Sequence, residues 1–139
     1  MRTTKRAKDR GPRAEGWPRG SDAPTPALRR ALHGLQEALG SISHPRAAEV
    51  RAALALADQD AVAFWRAIDS NAWWGGAGSL AAETLGDNPG LPESDWRGIV
   101  GDLRERLIEI GETLMARGRH NPGIPSWVLA FRNWNDSQV

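Results

Sequence analysis

The chain has 139 residues, room for one domain of ordinary size, and its lack of cysteine excludes disulfides, thiol nucleophiles and zinc sites built on thiolates. Its net charge of +1 conceals two parts of opposite sign: residues 1–23 carry seven bases against three acids, a net of +4, and the remainder carries −3. The basic excess is therefore not the footprint of a nucleic-acid-binding fold, because the part able to fold is mildly acidic.

Residues 1–23 hold no large aliphatic side chain beyond Met1, while Gly, Pro and charge accumulate. Such a segment cannot offset its own ordering entropy, so the sequence predicts a disordered basic arm over 1–23 ahead of a single helical domain over 24–139. Arg6, Lys8, Arg10, Arg13 and Trp17 are the arm's candidate contacts. The charged start is not followed by the apolar stretch of about 7 to 15 residues that a signal peptide requires. The longest run free of charge, residues 70–82, is rich in Gly and Ala and falls short of the ~20 apolar residues of a membrane span. A soluble, cytoplasmic protein with no membrane partner is expected.

Thr25 before Pro26 is a helix start, a hydroxyl at the cap and a ring where no amide hydrogen is missed. Leu28, Leu32, Leu35 and Leu39 then form one apolar face, with Gly40 as the stop. Ser43 or His44 before Pro45 repeats the start signal, and Val50, Leu54 and Ala57 carry a second, alanine-rich helix. Asp58 or Asp60 opens a third through Phe64, Trp65 and Ile68. Trp73, Trp74, Gly75, Gly76, Ala77 and Gly78 interrupt the pattern, and Ser79 caps a short helix through Leu80 and Leu85. Gly86, Asn88, Pro89, Gly90 and Pro92 read as a loop. Trp96, Val100, Leu103, Leu107, Ile110 and Leu114 follow at steps of four and three, a seam ending at Gly118 and widened by Ile99, Ile108 and Met115. A short helix from Pro125 to Trp134 closes the chain. The pattern predicts an all-α fold, a compact bundle of about five helices, with no strand alternation longer than a few residues.

Motifs for chemistry are weak. The stretch from Gly76 to Ala81 has the spacing of a dinucleotide fingerprint, but a Trp pair precedes it where a strand is required, and no Gly-Lys-Ser/Thr ending makes a P-loop. Two readings remain: exposed amides that hold an anion or a partner's carboxylate, or a tight turn that lets a Trp pack over the backbone. Glu105, Glu109 and Glu112 have helical spacing, yet each falls two residues after a seam position and faces water, interspersed with Arg104 and Arg106, so no metal site is expected. His33, His44 and His120 stand apart from one another, with His44 a neighbour of a helix cap. No catalytic residues and no cofactor are assigned, and the chain is read as not an enzyme.

Seven Trp with no Tyr is an unusual balance, and Trp is enriched among interface hot spots. Trp65 and Trp96 fall on apolar helical faces, and Trp127 and Trp134 bracket the last helix. Trp73, Trp74 and Trp17 lie in a loop or the arm and are the interface candidates. The predicted partner-binding set is Trp73, Trp74, Gly75, Gly76, Gly78 and Ser79.

The block Phe64-Trp65-Arg66-Ala67-Ile68, then Trp74-Gly75-Gly76-Ala77-Gly78-Ser79-Leu80, then Ile108-Glu109-Ile110-Gly111-Glu112-Thr113-Leu114, resembles small bacterial helical proteins with an aromatic-Gly-Gly-x-Gly-Ser loop between helices. The resemblance covers residues 45 to about 118. It implies a role of the kind suspected for such proteins, immunity partners of secreted toxins, and brings no catalytic residues with it. The expected function is a non-enzymatic protein-binding domain, a cytosolic immunity or antitoxin-like inhibitor of a bacterial toxin. The alternative is a nucleic-acid-associated accessory protein that neutralises phosphates through the basic arm alone.

Overall fold

The computed structural model describes residues 23–84 and 93–137, of which 93–96 by backbone only. The arm, Leu85, the loop over 86–92 and the Trp96 side chain lie outside the described residues.

The chain is all-α. Helix α1 spans Pro26–Ser41, α2 Ala47–Ala57, α3 Ala61–Ile68, α5 Glu93–Ala116 and α6 Ile124–Asp136; a four-residue helix, α4, covers Asn71–Trp74 and a 3₁₀ turn covers Ala81–Thr84. Among the described residues there is no strand, and no helix is long and apolar enough to cross a membrane.

Side-chain caps set two of the helix starts. Thr25 Oγ1 accepts the Leu28 amide at 3.2 Å with Pro26 at the first position of α1, and an Asp60 carboxylate oxygen accepts the Ala63 amide at 3.1 Å at the head of α3. Helix α2 starts without a side-chain cap: the His44 ring accepts the Arg46 amide through Nδ1 at 3.1 Å and shapes the turn before it. Gly40 is not the stop of α1. The helix runs to Ser41, and the left-handed residue is Ser43, at φ 54°. Gly118, at φ 108°, does mark the end of α5.

Helix α5 is the central element, packed against α1 on one side and α6 on the other, while α2 joins α1 to α3. Its seam residues Val100, Leu103, Leu107, Ile110 and Leu114 are all buried, and Glu105, Glu109 and Glu112 are exposed as their phase predicts. Leu28, Leu32, Leu35 and Leu39 face them from α1 with 1% exposure or less. Each such leucine contributes about 1.5–3 kcal/mol relative to exposure, so this α1–α5 contact is the main apolar support of the bundle. Arg104 departs from the expected solvated face. It is buried, with Nη2 donating to the Thr84 carbonyl at 3.1 Å and its guanidinium 5.0 Å from the Trp134 ring centroid. Lying four residues after Val100, it shares the seam's edge.

Candidate functional site

The Trp-Gly segment stands where α3 hands over to the 3₁₀ turn. Trp73 and Trp74 end the short helix α4, and their side chains point inward, 2% and 0% exposed. The expectation that these two present aromatic surface to a partner is thereby corrected: both belong to the hydrophobic core. The physical reason lies in α5 and α6. The Trp74 indole lies over Gly111, where an added Cβ would stand 3.4 Å from its Cη2, and Gly123 passes so close that a Cβ there would meet the Trp74 carbonyl oxygen at 2.3 Å. Trp74 Nε1 donates to the Ile68 carbonyl at 2.8 Å, and the Trp74 carbonyl in turn accepts Trp127 Nε1 at 3.1 Å. A large aromatic thus buries its body and satisfies its polar groups, as a buried indole requires.

What remains on the surface is the backbone that follows. Asn71, Ala72 and all of residues 75–78 are exposed, whereas Ser79, Leu80 and Ala81 turn back into the core. Gly76 holds φ 90°, a conformation that costs glycine nothing and any other residue strain. Ser79 is buried and fully engaged: its hydroxyl donates to the Gly76 carbonyl at 2.7 Å and accepts the Ala82 amide at 3.3 Å. It closes the turn and caps the 3₁₀ element, so it is withdrawn from the partner-binding set together with the two tryptophans. Of the predicted site residues, Gly75, Gly76 and Gly78 are the ones the structure leaves open to a partner. Arg6, Lys8, Arg10, Arg13 and Trp17 lie outside the described residues.

Two polar groupings flank the loop, and neither was singled out from the sequence. On one side, Arg46 reaches the Ala72 and Gly78 carbonyls, and His44 Nε2 stands 3.9 Å from Glu83. On the other, Asn121 ties the α5–α6 connection to the start of α4. Its amide donates to Asp69 Oδ1 at 2.8 Å, its Nδ2 donates to the Asp69 carbonyl at 3.0 Å and to Asn71 Oδ1 at 2.9 Å, and its Oδ1 accepts the Gly123 amide at 2.9 Å. Burial raises the Asp69 carboxyl above its ordinary value, opposed by the Asn121 amide and by nearby His120. The turn signal Asn121-Pro122-Gly123 was readable in the sequence, but its partner Asp69 was not.

Chemically this is a presented backbone surface. Among the described residues no group of three or more His, Asp or Glu is placed to hold a metal ion. His33 is exposed, and His120 bonds locally around Asn121. No protein-family model, no curated protein and no solved structure matches the chain. None of these comparisons supports the expected likeness of residues 45–118 to small bacterial helical proteins.

Proposed function

We propose that the chain is a non-enzymatic protein-binding domain acting in the cytoplasm as an inhibitor of the immunity or antitoxin kind, with the exposed turn over residues 75–78 as its docking edge. The observation that carries this reading is the contrast within one short segment: a glycine-rich backbone held at the surface by two tryptophans that are themselves wholly buried. A surface whose only side chain is the Ala77 methyl allows a partner's backbone or an aromatic residue to approach closely, and rigid anchorage below it lowers the entropy lost on association. The mildly acidic body suits a basic partner, because complementary charge speeds encounter.

Co-expression with a secreted-toxin gene found next to its own gene tests the reading. Cells carrying both are expected to survive, and the two proteins to co-purify as a complex. Loss of viability unchanged by the chain, together with no complex, would remove the proposal. The arm-based alternative predicts binding to a single-stranded oligonucleotide that weakens steeply with salt and is lost on deleting residues 1–20.

A further inference from the structure

A single arginine spans the neck of the exposed turn. Arg46, the residue that leads into α2, places Nη1 3.3 Å from the Ala72 carbonyl and Nη2 3.0 Å from the Gly78 carbonyl, so one guanidinium holds the two ends of the segment together. Its Nε stands 3.0 Å from Glu49 Oε1, one helical turn along, which fixes the plane of the fork. The Ala72 carbonyl also accepts the Leu80 amide at 2.8 Å, and the Ser79 amide donates to Gly76 at 3.1 Å. The clasp therefore bears on the bonds that close the turn. The Arg46 amide is held in place by His44 Nδ1.

We propose that Arg46 is a positioning residue: it pre-organises residues 72–78 in the conformation a partner receives. The inference rests on reading that turn as the docking edge, but its first test needs no partner. Two acceptors on opposite ends of a turn suit a planar guanidinium with several fixed donors, and a lysine ammonium, a point charge on a flexible stem, cannot span them in the same way. A turn already ordered before encounter loses less entropy on binding, so the clasp acts on affinity without touching the partner.

Backbone amide exchange in the full chain, compared for wild type, Arg46→Lys and Arg46→Met alongside thermal melts, tests this. In both variants the Leu80 and Ser79 amides are expected to exchange about tenfold faster, while Leu107 and Ile110 in the middle of α5 keep their rates. Unchanged exchange at Leu80 and Ser79 overturns the proposal. So does an increase shared equally by α5, which would make Arg46 an ordinary contributor to global stability. With a partner in hand, Arg46→Lys is expected to bind about tenfold more weakly, and equal affinity overturns the positioning role. If the partner binds elsewhere on the chain, the exchange result stands and only the docking reading fails.

Discussion

Asp69 sits where a carboxylate is both useful and expensive. Its Oδ1 accepts the Asn121 amide and so fastens the α5–α6 connection, yet burial raises its pKa more than that bond and His120 lower it. With the folded value above the unfolded one, the native state binds more protons than the unfolded chain in the window between the two, so this group's contribution to stability falls as pH rises through that window. Asp69→Asn keeps an acceptor for the Asn121 amide and removes the charge. The variant is expected to equal or exceed wild type in urea midpoint at pH 7, and the difference is expected to shrink as the pH is lowered past the Asp69 pKa. Arg104 poses the related problem for a cation: desolvation lowers its pKa, and the Thr84 carbonyl and the Trp134 face supply part of the compensation.

At the scale of elements, α5 carries glycines of opposite meaning. A Cβ on Gly111 would lie 2.8 Å from Val128 Cγ2 and 3.1 Å from Ile124 Cγ2, whereas one on Gly98 would meet nothing within 4 Å. Helix propensity favours Ala over Gly by about 1 kcal/mol at either site, and overpacking costs about 1–3 kcal/mol where Val128 and Ile124 of α6 must move. Gly98→Ala is therefore expected to stabilise the protein by up to about 1 kcal/mol, and Gly111→Ala to destabilise it by up to about 2 kcal/mol, measured by denaturant unfolding.

The same comparison shows what a one-dimensional reading can reach. Caps at Thr25, Asp60 and Ser79 and the buried seam of α5 are local or periodic, and all were legible. The inward turn of Trp73 and Trp74 was not, because it depends on other elements: the Ile68 carbonyl that accepts the Trp74 indole, Trp127 of α6, and Gly123, where a Cβ would meet the Trp74 carbonyl oxygen. A glycine run after a tryptophan pair reads as surface, and half of that reading holds: the glycines are outside and the tryptophans within. Arg46 left no mark at all, since its partners are backbone carbonyls and carry no sequence signature.

Across the whole molecule, Trp74 joins three helices: its indole meets the Ile68 carbonyl of α3 and Gly111 of α5, and its backbone carbonyl accepts Trp127 of α6. Trp74→Phe keeps most of the packing but leaves the Ile68 carbonyl without its indole donor, a loss expected to cost about 1–3 kcal/mol in thermal or urea unfolding. A shift within error of wild type would show that the indole nitrogen is not needed there. The fold thus uses a fully buried tryptophan to anchor a segment whose exposed portion is nearly bare backbone, and the docking proposal depends on that portion being the contact.

Gly78 allows the most direct test. It has no positive φ, and a Cβ there meets nothing within 4 Å, so the backbone accommodates Gly78→Arg, which places a long side chain on the docking edge. In equilibrium binding to the co-purified partner, Gly78→Arg is expected to bind at least about a hundredfold more weakly than wild type, a loss of hot-spot size, with an unchanged melting temperature. Equal affinity for the two proteins would contradict the account, because a partner indifferent to an arginine at that position does not dock on this turn.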